Sequence, residues 1–390
     1  MNLNDLYDDQ KEAFLKSAVH FLNSDGTHFK LSGAAGSGKT TILSMMIYFM
    51  KFYLGEDRFS VCCPTNRAAV ALREKMETIT DRGQIVDVRT IHSHLYHYEI
   101  REYNDSDGTK RKYLDARRKT MEEIKHSIGD YLILDESSMV HSDMINLLDA
   151  VGVKILFVGD QNQLPPVGEK ESVLQESDIV LNNIYRTDHQ DIMDLCNSIR
   201  KFNKFFQNRY QQSNEVNFLR KNDLNVNHFR NNRYDVMICG LHRTRKWLND
   251  LQRKADGLHE YDFPQAGEKI IAKDNGFGGG NSFISNGDIF TVDSFVGDTY
   301  FLIDQYGRSG YNVKINNDNF IPQMEDESKT LSNKIRFDFA YCITCHNSQG
   351  STFDHVLFYD EYVGFFLSQQ KFRYTGITRA AESVTVVQCF

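Results

Sequence analysis

No apolar run in these 390 residues is long enough to cross a bilayer. The longest, Ile42–Met50, falls well short of the ~20 residues a spanning helix needs. The polar, acidic opening MNLNDLYDDQ is neither a signal nor a transit peptide. There is no basic excess. The formal net charge is −8, so bulk electrostatics give nucleic-acid binding no support. The seven cysteines are odd in number and mostly sit in apolar runs such as SVCCP, MICG and VVQCF. That pattern argues for reduced, buried thiols and against a disulfide framework. One CxxC, Cys342 and Cys345, has no second cysteine pair at metal spacing, so it reads as strand cysteines. Repeats and low-complexity tracts are absent too. These absences point to a soluble, intracellular chain of two or three domains.

Local charge tells more than the total. KRKYLDARRK, residues 110–119, holds six basic residues and one acid, and IRKFNKFFQNRY, residues 199–210, interleaves bases with aromatics. Each is equally readable as a solvated face.

Short apolar runs ending in Gly, Asp or Pro alternate with helical patterns: HFKLSG, FSVCCPT, YLILDE and KILFVGD. A second series begins at YDVMICG and continues through FDFAYCIT, HVLFYDE and SVTVVQC. Such alternation predicts an α/β chain with parallel sheets covered by helices. Two stretches interrupt it. Residues 95–128 centre on the turn signal NDSDGTK and read as a hairpin or small insertion. Residues 281–333 carry short strand-like runs and read as a small β-barrel, while FGGGNS at 277–282 reads as a loop.

The strongest motif is GAAGSGKTT, residues 33–41, between a strand-like run and a helix. Backbone N–H groups across Gly33, Ala34, Gly36, Ser37, Gly38 and Thr41 suit a phosphate cradle; Lys39 suits the β- and γ-phosphates, and Thr40 suits Mg²⁺. YLILDESSM delivers Asp135 and Glu136 together at a strand end. Asp135 can hold Mg²⁺ through water and Glu136 can polarise the attacking water. VGDQNQLPP ends a third buried strand on an acid and three amides. In a parallel sheet the strand ends gather on one edge, which sets Asp160 and Gln163 beside the γ-phosphate.

GAAGSGKTT, LDESSM, VGDQNQLPPV, NSQGSTF and YTGITRA occur in the order of superfamily 1 helicase motifs. The chain resembles the RecD-like, superfamily 1B group of DNA helicases, which includes a T-even phage enzyme. The resemblance implies two RecA-like domains, 1–200 and 201–390. Insertion 95–128 takes the place of a strand-separating pin (domain 1B), and 281–333 that of a small barrel (domain 2B). It implies that Gln10 reads adenine, that Arg186 and Arg379 reach the γ-phosphate, and that Gly350 lies near the nucleotide. Single-stranded DNA would meet Pro64, Thr65, Asn66, Thr90 and His92 in the first domain and Thr344, His346 and Ser348 in the second. The family usually has HKSQG where this chain has HNSQG, so Asn347 removes one phosphate contact.

The implied activity is ATP- and Mg²⁺-dependent unwinding with 5′→3′ movement, in the cytoplasm of a bacterium or a phage-infected host. The partners are single-stranded DNA, single-strand/duplex junctions, and replication or recombination proteins, with no membrane. Two rivals share the same motifs: a viral-type superfamily 1 RNA helicase, and a nucleotide-switched DNA-loading protein that does not unwind.

Overall fold

The computed structural model describes residues 3, 6–23, 28–55, 58–79, 87–104, 110–185, 189–279, 282–316, 320, 335–364 and 368–389. Strands β1 (His28–Gly33), β2 (Phe59–Cys63) and β3 (Val88–Thr90) precede a hairpin, β4 (Tyr96–Asn104) and β5 (Lys110–Arg118). β6 (Tyr131–Leu134), β7 (Lys154–Gly159) and β8 (Ile179–Leu181) follow. The first sheet has the order β3-β2-β6-β7-β1-β8, and every pairing in it is parallel. Buried side chains fill both faces, which is why its strands read as continuous apolar runs. Ile155, Leu156, Phe157 and Val158 of β7 are fully buried. The C-terminal ends of β1, β6 and β7 lie side by side, so three motif-bearing loops share one edge.

The second sheet is built from β9 (Val216–Arg220), β10 (Val236–Cys239) and three strands near the end of the chain. Between them run β11 (Lys269–Ala272), β12 (Gly276–Phe277), β13 (Phe283–Ile284), β14 (Ile289–Val296), β15 (Thr299–Asp304), β16 (Tyr311–Lys314) and β17 (Phe337–Phe339). The remaining strands are β18 (Cys342–Thr344), β19 (Phe353–Asp360) and β20 (Ala380–Gln388). The second sheet, β18-β10-β19-β20-β9, is again all parallel. The fold is therefore α/β with two RecA-like parallel sheets and smaller β elements attached.

The hairpin β4–β5 stands apart as a two-stranded sheet, as the charged 95–128 stretch suggests; its turn, 105–109, lies outside the described residues. The rest of that stretch belongs to the first domain. Helix Met121–Ile128 is fixed by a Thr120–Glu123 capping box and buries Ile124 and Ile128. The third sheet is antiparallel, β16-β15-β14-β11-β17, and recruits β11 and β17 from outside 281–333.

One sequence reading changes here. FDFAYCIT, read as one strand, is two: β17 pairs with β11 of the third sheet and β18 with β10 of the second. The chain changes sheets at Ala340–Tyr341, which an apolar run cannot reveal. FGGGNS is bordered by paired strands, with Phe277↔Phe283 in register, while residues 280–281 lie outside the described residues.

Buried ion pairs fasten the third sheet to helix His242–Ala255. Glu268, fully buried, accepts from Arg253 Nε at 2.8 Å, from Gln265 N at 2.8 Å and from Tyr341 Oη at 3.3 Å. The Arg253 guanidinium also lies 4.1 Å from the Phe339 ring centroid. Glu268→Ala leaves that guanidinium buried without its carboxylate. Chemical denaturation should show a loss of about 3–5 kcal/mol, and a loss under ~1 kcal/mol would mean the pair is dispensable.

Candidate nucleotide cleft and nucleic-acid groove

The loop after β1 turns through two glycines in the left-handed region, Gly36 (φ 78°) and Gly38 (φ 84°), before helix Lys39–Leu54 begins. Gly33 is required for a different reason: a Cβ there would lie 2.5 Å from Ser37 Oγ and 3.2 Å from Lys39 Cγ. Lys39 Nζ donates to the carbonyls of Gly33 (2.7 Å) and Ala34 (3.0 Å). Gln10 is buried, donating from Nε2 to Ser37 O at 3.1 Å and accepting from Tyr7 N at 3.2 Å. Tyr7 stacks on Tyr185, ring centroids 3.7 Å apart, and Tyr185 N donates to Gly36 O at 2.9 Å. Arg186, the next residue, lies outside the described residues.

A cleft of about 980 Å³ opens from this loop. Gly36, Ser37, Gly38, Lys39, Thr40, Asp135, Glu136 and Gln163 line it from the first domain, and Gly350 and Arg379 from the second. Burial and the neighbouring Glu136 charge push the Asp135 carboxyl up to about 6, against the pull of Lys39 and Lys75. Glu136 sits at φ 50°, ψ 35°, a left-handed conformation that costs a side-chain-bearing residue ~1–3 kcal/mol. Among the described residues its buried Oε2 has no hydrogen-bond partner, nor has buried Oε1 of Gln163. The acid pair, with Thr40 on the same wall, is a hard-oxygen set that fits Mg²⁺. Arg379 is held from behind: Nε donates to Thr375 O and Nη1 to Ser351 O, each at 3.1 Å.

Five of the nucleotide candidates lie behind the cleft wall. Gln10, Gly33, Ala34 and Thr41 support the phosphate loop. Asp160 is the clearest departure. It is fully buried and accepts from Tyr374 Oη of the second domain at 2.7 Å, while that hydroxyl accepts from Ala35 N at 3.2 Å. Two further bonds cross the same seam, Leu164 N to Thr375 Oγ1 (2.9 Å) and Gln349 Nε2 to Leu164 O (3.0 Å). Asp160 and Leu164 of VGDQNQLPP thus belong to a domain junction.

A separate groove brings together Pro64, Thr65, Asn66, Thr90 and His92 with His346. Thr344 and Ser348 are not in it. Thr344 caps helix Cys345–Ser348, and Ser348 Oγ donates to Cys345 O at 2.7 Å. Burial lowers the titration of His92 and His346, His141 adding to the effect at His92, so these rings act as neutral hydrogen-bonding groups. The groove also takes Arg67, Arg73, Arg89, Tyr98 and the edge-to-face pair Phe277–Phe283, centroids 5.3 Å apart. Sequence reasoning missed all of these. The residue types, bases and aromatics, were the available signal; their convergence from three sheets was not.

The fold and the cleft define a P-loop protein with two RecA-like parallel sheets. A family model described as an AAA domain matches residues 16–169, and one for the UvrD-like helicase C-terminal domain matches residues 339–387. A Bacteroides Pif1 helicase bound to single-stranded DNA aligns with TM-score 0.58 and 17% identity, over 99% of this chain and 92% of that one. Candida albicans Pif1 aligns at TM-score 0.53 and 16% identity, over 98% and 94%. RecD of Buchnera aphidicola is 30% identical over 182 residues, 44% of this chain and 28% of that protein. An uncharacterised protein of Acanthamoeba polyphaga mimivirus is 26% identical over 287 residues, 64% of this chain. The chain spans 56% of the mimivirus protein's length. The RecD-like resemblance is thereby coarsened: these whole-chain structural likenesses are to Pif1 helicases, and the RecD likeness covers less than half the chain. Among the described residues, no helix is long and apolar enough to cross a membrane.

Tyr374→Phe removes the hydroxyl that serves both Ala35 and Asp160. It should cost about 1–3 kcal/mol in unfolding free energy, because a buried carboxylate loses a donor. An unchanged denaturation midpoint would show that the seam does not depend on this bond.

Proposed function

We propose that the chain is an ATP-dependent DNA helicase that moves 5′→3′ on single-stranded DNA and unwinds duplex at junctions. One observation carries the reading: Lys39, Asp135 and Glu136 of one RecA-like domain share a cleft with Arg379 of the other. A nucleotide in such a cleft touches both domains, so its hydrolysis changes how they sit together. Pif1 structures with single-stranded DNA and with ADP–AlF₃ support the same reading by fold.

In this proposal Lys39 exchanges the Gly33 and Ala34 carbonyls for the β- and γ-phosphates. Thr40 and Asp135 would hold Mg²⁺, which would supply positive charge against the phosphates. Glu136, strained and unpaired at Oε2, takes the proton of the attacking water. Gln163 Oε1 is an acceptor suited to orienting that water. Arg379 supplies positive charge from across the cleft, with Arg186 as the second arginine and Gln10 at the adenine. DNA runs over Pro64, Thr65, Asn66, Thr90, His92 and His346, and the β4–β5 hairpin divides the strands. The ranges 1–200 and 201–390 are our domain assignment. The free thiols, six of seven buried, fit a reducing cytoplasm. Replication, recombination and repair proteins are the partners such an activity would meet.

Glu136→Gln should still bind Mg·ATP but hydrolyse it ~10²–10⁴-fold more slowly, because only the base is lost. Lys39→Ala should lose turnover while still binding single-stranded DNA. Strand displacement is the decisive measurement, with 5′-tailed substrates expected to unwind and 3′-tailed ones to remain. Preferential stimulation by RNA, or ATPase that ignores single-stranded DNA, would overturn the proposal.

A further inference from the structure

Arg67, second residue of helix Asn66–Ile79, was not expected to matter. Its guanidinium is 6% exposed and spans three parts of the molecule. Nη1 donates to Ser351 Oγ (2.8 Å) and to Asn347 O (3.3 Å), both in the loop after β18. Nη2 donates to Gly287 O, in the turn that leads into β14 of the third sheet. All three acceptors are uncharged; the acid whose charge acts on Arg67 is Asp288, next to Gly287.

Its place is more telling than its bonds. Arg67 lines both the nucleotide cleft and the nucleic-acid groove. The loop it grips does the same: Asn347 faces the groove and Ser351 the cleft. Ser351 O also receives Arg379 Nη1 at 3.1 Å. One continuous chain of contacts therefore runs from the groove wall through Arg67 and Ser351 to the arginine that faces the phosphate loop. The two elements meet with no slack, since a Cβ on Gly350 (φ 74°) would lie 3.0 Å from Ala68 Cβ.

We propose that Arg67 is a positioning residue that passes the state of the nucleotide cleft to the nucleic-acid groove. Closing the cleft seats the Asn347–Ser351 loop on the guanidinium and so sets the groove wall. Opening it returns the guanidinium to water. A buried guanidinium bonded only to uncharged acceptors, with the Asp288 charge as its partial compensation, is costly to keep, so a bound nucleotide can tip the balance between the seated and released arrangements. The inference deepens the helicase reading and rests on it.

The test is the coupling between ligands. The affinity for a fluorescent single-stranded DNA is measured by anisotropy with and without Mg·ADP–AlF₄, and the ratio of the two affinities is taken. In the wild-type protein the ratio should depart from 1 by about 5- to 150-fold, the usual span of coupled sites. Arg67→Ala should bring it close to 1. Arg67→Lys should restore only part, because one ammonium cannot span three acceptors as a planar fork does. Ser351→Ala should lower it, and the double variant should go no further than Arg67→Ala alone. A purely structural loss would weaken both affinities together and leave the ratio intact. A coupled wild-type protein with an unchanged ratio in Arg67→Ala overturns this inference alone. If Arg67→Ala does not fold, a wild-type ratio in Ser351→Ala overturns it. A wild-type ratio of 1 overturns this inference and the helicase reading together.

Discussion

A single buried hydroxyl ties the second domain to two separate loops of the first. Tyr374 Oη accepts the N–H of Ala35 and donates to the Asp160 carboxylate. The first contact fixes the phosphate loop and the second fixes the end of β7. A fully buried carboxylate needs donors: Asn162 supplies two to Asp160 Oδ1 from the same loop, and Tyr374 supplies one to Oδ2 from a helix of the other domain. The position of Arg379 follows, because it lies on the same segment, one helical turn beyond Thr375, whose carbonyl it bonds. Nucleotide chemistry and domain packing are thus not separable in this fold.

The cleft is built to be incomplete. Asp135 and Glu136 stand together, Glu136 in a strained backbone conformation and with an unpartnered oxygen. Such an arrangement is costly in isolation, and a divalent cation held by Asp135 would relieve it. The groove follows another logic. Its arginines come mainly from the first domain and its aromatic pair from the β12–β13 hairpin. An overall acidic chain can therefore present a locally basic, stacking surface.

What was legible in the sequence was what chemistry packs into a few consecutive residues. GAAGSGKTT and LDESSM each carry their geometry locally, on a strand end and the start of the next turn. Both parallel sheets were legible too, because strands buried on two faces leave uninterrupted apolar runs. Contacts made across hundreds of residues were hidden. Nothing near Asp160 in sequence announces that its partner is Tyr374. Thr344 and Ser348 look like the exposed polar ends of a DNA-binding motif, yet one caps a helix and the other bonds back into it. The aromatics of 199–210 were hidden in another way, for Phe205 lies under the Arg373 guanidinium as packing. FDFAYCIT failed because one apolar run can serve two sheets.

Tyr374 and Asp160 are 214 residues apart in the chain. At a synthesis rate of ~5–20 residues per second, roughly ten to forty seconds separate their emergence from a ribosome. During that interval the first sheet can assemble, since β1 needs only β7 and β8. It does so with Asp160 Oδ1 already held by Asn162 and Oδ2 still waiting for its partner. The nascent first domain therefore carries one carboxylate oxygen that water must serve until the second domain docks at the seam.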